Sequence, residues 1–161
     1  MQPKFVDLPE FEVAGLAGRY VVGKTEGIPA LWTEFVGAWQ RAGKPFPNVS
    51  YGLCYDESES DGSEGEALPF TYVAAFPIGS AEETPAGLVR RTLSANQYAV
   101  FTHRGPVTSI QDTYAEIFGS WLPKSGCRRA DGPDFELYDE RFDEQNLSGE
   151  VDIYLPVHQG A

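Results

Sequence analysis

Two apolar stripes of helical period, 82 residues apart, limit what this chain can fold into more than any other feature. The first runs from Ile28 to Gly43: Leu31, Trp32, Phe35, Val36 and Trp39 share one face at i, i+4, i+7 spacing, Pro29 suits the first turn and Gly43 the stop. The second runs from Val107 to Leu122, with Ile110, Tyr114, Ile117, Phe118 and Trp121 on its stripe. Thr108 or Ser109 can cap its start, and Pro123 and Gly126 are its terminators. A shift of 82 residues places Trp32 on Tyr114, Phe35 on Ile117, Val36 on Phe118 and Trp39 on Trp121. Four matches in order point to a duplicated unit.

The flanks agree. A strand-like run precedes each helix, Phe11 to Val22 and Thr92 to His103, and two more follow it: Ser50 to Tyr55 and Phe70 to Phe76 in the first half, Phe135 to Tyr138 and Val151 to Leu155 in the second. Both halves therefore spell strand–helix–strand–strand, as pseudo-repeats over about 8–80 and 86–158 of one 161-residue domain. The expected fold is α+β with pseudo-twofold symmetry: an antiparallel sheet, both helices on one side because each has a single apolar stripe, and a central ligand groove on the other side. Residues 56–66 are acidic and of low complexity, and a mobile hairpin loop is expected there.

Several chemistries have no carrier. The chain has no GxSxG, Walker, GxGxxG or HExxH motif. Two histidines, His103 and His158, and two isolated cysteines, Cys54 and Cys127, are too few for a metal centre, and neither metal nor cofactor is expected. A Cys54–His103 nucleophile pair is outweighed by the apolar strand around Cys54, which suits an inert buried thiol. A formal charge of −12 argues against direct nucleic-acid binding, since phosphates need a basic surface. No 18-residue apolar run exists for a membrane span, the N-terminus has no signal-peptide pattern, and a cytoplasmic protein is expected.

The segment PDFELYDERF near the C-terminus is the more informative one. With Phe135 and Leu137 toward the helices, Glu136 and Tyr138 face the groove; with Val151, Ile153 and Leu155 toward the helices, Asp152 and Tyr154 join them. The repeat aligns Glu136 with Cys54, so this carboxylate is not duplicated. A partly buried carboxylate is costly unless paired. No Lys or Arg lies on these strands, so a ligand cation is one candidate partner, held also by aromatic faces. Pattern alone leaves two readings open: this pocket, or a face that is merely wet. The run from Asp139 to Glu144 is expected at the surface.

Tyr98 to Val107 (YAVFTHRGPV), the Trp121-Leu122-Pro123 turn with Ser125-Gly126, PDFELYDERF and Val151 to Val157 (VDIYLPV) resemble the GyrI-like effector-binding domain of AraC-type and multidrug-sensing bacterial transcription activators. YGLCYD and FTYVAAFPI are similar to the family's first-half strands, and the resemblance spans about Phe11 to Val157. It implies a groove between the halves with an acidic residue, matched by Glu136. Tyr138, Asp152 and Tyr154 fall at ligand-contacting positions, and Trp32 and Tyr114 match the region that lines or lids the groove; Tyr51 is added as a wall. Regulators carry a helix-turn-helix segment before this domain. Here ten residues precede the first expected strand, which suggests a stand-alone effector domain.

Three functions follow as expectations. The first is a binding protein, monomer or homodimer, for amphipathic, cationic, aromatic small molecules centred on Glu136. The second is an enzyme: some stand-alone members resemble hydrolases that open cyclopropane groups of electrophilic toxins, with Glu136 activating water and Tyr154 or Tyr138 donating a proton. The third is a protein partner, a regulator or gyrase, approached through the acidic loop and net charge.

Overall fold

The computed structural model describes residues 2–21, 26–56 and 69–159. The acidic segment falls almost wholly outside them. Ten strands are present: β1 (Lys4–Leu8), β2 (Phe11–Val21), β3 (Ser50–Asp56), β4 (Pro69–Ile78), β5 (Val89–Leu93), β6 (Asn96–Pro106), β7 (Cys127–Arg129), β8 (Asp134–Tyr138), β9 (Phe142–Asp143) and β10 (Ser148–Gln159). They form one curled antiparallel sheet in the order β1-β6-β10-β8-β3-β4-β2-β5, with β7 and β9 also pairing with β10. Helices α1 (Ile28–Arg41), α2 (Ile110–Glu116) and α3 (Leu122–Ser125) lie on one side. Among the described residues no helix is long and apolar enough to cross a membrane.

Two expected boundaries shift. A strand precedes Phe11, because Val6 and Leu8 alternate into the core before Pro9 interrupts them. The run from Thr92 to His103 is two strands, broken at Ser94 and Ala95. β5 pairs with β2 at one end of the sheet, while β6 pairs with β1 and β10 at the other.

The first helix matches most of its stripe: Leu31, Phe35 and Trp39 are buried against Ala14, Tyr72, Ala74 and Phe76, Trp32 is partly buried, and Val36 is exposed. The second helical segment does not stop at Pro123. Between α2 and α3 lies a π-helical stretch, Ile117–Trp121, where the Leu122 N–H reaches back to the Ile117 carbonyl. This wider turn carries the chain past the spot where a proline ring would otherwise meet the carbonyl four residues earlier. The helix ends at Gly126, the other expected terminator, whose φ of 77° is left-handed. The second stripe, with Ile110 and Ile117, packs on Ala99, Phe101, Val151, Ile153 and Leu155.

The sheet buries its other face as well, which overturns the face expected for β8, while Val151, Ile153 and Leu155 of β10 face the helices as expected. Val13, Leu53, Val73, Leu93, Tyr98, Val100 and Phe135 form a core inside the curl of the sheet, which no helix covers among the described residues. Phe135 is fully buried there, its ring 4.6 Å from Tyr154 and stacked on it, with Tyr98, Tyr51 and Phe11 edge-on at 5.3, 5.5 and 5.9 Å. Burying such a ring is worth roughly 1.5–3 kcal/mol, enough to decide which way β8 faces. Phe135 and Leu137 thus point away from the helices, and Glu136 and Tyr138 point toward them.

Candidate functional site

β3 and β8 meet at the middle of the sheet, with Gly52 opposite Glu136 and Cys54 opposite Asp134. Directly paired residues share a face, so Glu136 and Asp134 rise on the helix side. A groove of about 310 Å³ opens over them, lined by Ile28, Cys54, Tyr72, Tyr114, Phe118 and both carboxylates.

Glu136 is 5% exposed and is held by hydroxyls alone: Tyr138 donates to Oε1 at 2.7 Å, Tyr72 to Oε1 at 3.0 Å and Tyr114 to Oε2 at 2.9 Å. Trp32 Nε1 donates to the Tyr72 hydroxyl at 3.2 Å, and the Trp32 ring meets Tyr138 edge-on at 5.9 Å. No lysine or arginine pairs with Glu136 among the described residues. Burial therefore lifts its carboxyl above the ordinary value, against the opposing pull of Tyr138, Tyr114 and Tyr72 and, after them, His103. The same burial, reinforced by the Glu136 charge, pushes the three hydroxyls well above a normal tyrosine, so they stay protonated donors. What results is a buried carboxylate surrounded by neutral hydroxyl dipoles, with no lysine or arginine counter-ion among the described residues.

Gly52 makes this geometry possible. A Cβ there would fall 2.1 Å from the Tyr72 hydroxyl and 2.9 Å from Glu136 Oε1. The missing side chain lets Tyr72 lie across the β3 backbone and reach the carboxylate.

Of the residues expected at the site, Glu136, Tyr138, Tyr114 and Trp32 are brought together. Tyr51, Asp152 and Tyr154 are not: they lie on the other face, with Leu137 opposite both Tyr51 and Asp152, and Phe135 opposite Tyr154. Asp152 is also no unpaired acid. Arg141 Nη2 reaches it at 2.8 Å and the Thr102 hydroxyl at 2.7 Å. Arg141 belongs to the run expected at the surface; it folds back because Asp139 and Asp152 both bind it. Tyr72, Gly52, Asp134 and Phe118 were missed. Tyr72 shares the alternation of FTYVAAF, a signal that could have marked it, but only the register across β3 places it beside Glu136.

Cys54 and His103 are unrelated. His103 Nε2 faces the Pro106 carbonyl at 3.0 Å and its Nδ1 faces the Thr113 hydroxyl at 2.7 Å. Burial, then the Asp134 and Glu136 charges, push the Cys54 thiol well above its usual value, which makes it a poor nucleophile.

A groove lined by aromatic rings over a buried acid is the kind of concavity in which small-molecule sites are commonly built. Residues 1–158 match the family described as GyrI-like small molecule binding domain, and the chain belongs to that family. The transcriptional regulator BrlR of Pseudomonas aeruginosa is 33% identical over 162 residues, covering 98% of this chain and 56% of BrlR. The chain spans about half the length of such regulators. Among solved structures, SAV2435 bound to tetraphenylphosphonium aligns at TM-score 0.70 and 19% identity over 98% of this chain and 94% of SAV2435. The EcmrR C-terminal domain aligns at TM-score 0.63 and 13% identity over 98% of both chains. These likenesses establish the fold.

Proposed function

We propose that this chain binds amphipathic organic cations in the helix-side groove, with Glu136 as the counter-charge, Tyr72, Tyr114 and Phe118 as aromatic walls, and Tyr138 and Trp32 as the supports that hold Glu136 and Tyr72. The observation that carries the proposal is the state of Glu136: buried, bonded only to hydroxyls and lacking a cation. A ligand cation recovers the attraction that desolvation leaves unspent, and each aromatic face adds roughly 0.5–2 kcal/mol. Tetraphenylphosphonium, the ligand of SAV2435, is a suitable probe. Calorimetry should show binding that Glu136→Gln weakens about tenfold or more, a loss of ~1.4 kcal/mol. Equal affinity of the two proteins for this cation would remove Glu136 from the reading.

The raised carboxyl also favours a second reading, activation of water by Glu136 in a hydrolase. Tyr154 lies on the wrong face to serve as its proton donor, so that role falls to Tyr138 or Tyr114. Turnover of an electrophilic cyclopropane substrate, abolished in Glu136→Gln, separates this reading from simple binding.

A further inference from the structure

The walls of the groove differ in chemistry. On α2 and the turn after it, the lining residues Gln111, Tyr114, Ala115 and Phe118 follow i, i+3, i+4, i+7 spacing and share one stripe, while Ile110 and Ile117 on the neighbouring stripe pack on the sheet. The Tyr114 and Phe118 rings are parallel, 6.3 Å apart. Across the groove stand Ile28 and Phe70, which are apolar. The donors near the floor are committed, since the hydroxyls of Tyr72 and Tyr114 both go to Glu136. Gln111 differs from all of these. It is the one amide in the lining, it is exposed, and it makes no hydrogen bond among the described residues. A side-chain amide offers two donor hydrogens and an acceptor oxygen. This one stands a helical turn before Tyr114, roughly 5–6 Å away between Cβ atoms. A flat cation laid on Tyr114, with its charge toward Glu136, would therefore meet Phe118 at one end and Gln111 at the other.

We propose that Gln111 is a specificity-determining residue of the groove, and that the favoured ligands are flat cations whose rings carry a neutral hydrogen-bonding substituent, such as a ring amine. The proposal rests on the cation-binding reading of Glu136 and deepens it by naming the ligand's second polar group. A ring amine that leaves water for an apolar wall gives up its hydrogen bonds, whereas one that reaches the Gln111 oxygen keeps one of them. Charge is thus held at the floor, the ring by Tyr114 and Phe118, and the substituent is read at the rim. Because Gln111 is exposed, water competes for the same amide, and the discrimination is severalfold rather than of orders of magnitude. Tetraphenylphosphonium has no such substituent and would draw on Glu136 and the rings alone.

N-methylacridinium and its diamino derivative, the acriflavine cation, test this. They share a ring system and a single permanent positive charge, and differ in the amines at the two ends of the ring. Fluorescence titrations at about 0.15 M salt should show the unaltered protein preferring the diamino dye by about threefold or more. Gln111→Leu, similar in size and suited to an exposed helical position, should lower that preference by about threefold or more. Comparing the two proteins cancels the amines' own effect on ring charge and hydration. No preference for the diamino dye in the unaltered protein overturns the proposal and needs no variant to fold. An unchanged ratio in Gln111→Leu overturns it as well. Glu136→Gln is the separate arm: it should weaken both dyes and leave their ratio as it was. If it weakens neither, the Glu136 reading fails, while the Gln111 ratio still stands or falls by itself. Failure of the unaltered protein to bind either dye overturns both.

Discussion

Glu136 and Asp152 sit on adjacent strands, are exposed to 5% and 7%, and point to opposite faces of one sheet. Asp152 is met by Arg141 and Thr102, and Arg141 is held in turn by Asp139. Glu136 is met by three phenols. Burial is the same; the partners differ. A carboxylate paired with arginine is a finished piece of architecture that strengthens the fold and has little left to offer a ligand. A carboxylate ringed by neutral donors keeps its field, and a groove opens onto it. On the proposed reading, what sets Glu136 apart from Asp152 is not depth of burial but the lack of a lysine or arginine partner among the described residues.

The strongest test of this contrast is Gly52→Ala. The added methyl overlaps the Tyr72 hydroxyl and crowds Glu136, so the variant should lose about 2–3 kcal/mol of stability in urea titrations, as overpacked sites do, and tetraphenylphosphonium binding should fall with it. Asp152→Asn should cost about 1–2 kcal/mol, because it weakens a charged partner of half-buried Arg141, yet leave affinity for the cation within about twofold. Were it to abolish binding, the two faces would not be functionally separate. Trp32→Phe removes the indole donor to Tyr72 and should weaken binding by about 1 kcal/mol with little change in melting temperature.

The smallest effect is on pH. The folded-state pKa of Glu136 lies above its unfolded value, so its contribution to stability is fully present below the unfolded pKa and is lost as pH rises through the folded one. At neutral pH the ionised carboxylate thus weakens the fold, and Glu136→Gln should melt slightly higher than the parent and show a flatter rise in stability on acidification. Binding runs the other way: cation affinity should drop as acid protonates Glu136.

Much of this was legible in the sequence. The α+β class, both helical stripes and most strand positions follow from periodicity, and PDFELYDERF carried Glu136 and Tyr138. The choice of face was not legible. The alternation Phe135, Glu136, Leu137, Tyr138 states which residues lie together but not which set meets the helices. A flat sheet would have put the apolar set there. In the curled sheet, rings from β2, β3, β6 and β10 close around Phe135 and give the apolar set a second core. The same inversion separated Tyr51, Asp152 and Tyr154 from Glu136. Tyr72 and Gly52 were hidden for another reason: their roles depend on a register between strands far apart in the chain.

The hydroxyls around Glu136 are divided unequally between its oxygens. Oε1 accepts hydrogen bonds from both Tyr72 and Tyr138, and Tyr72 itself accepts from an indole that can only donate. Oε2 has Tyr114 alone. A proton arriving on the carboxyl settles on Oε2 with least rearrangement, and Tyr114 must then turn from giver to receiver, swinging its own hydrogen off the carboxylate. The charge state of the floor is thereby written in the direction of a single O–H bond on α2, where a bound molecule would lie against it.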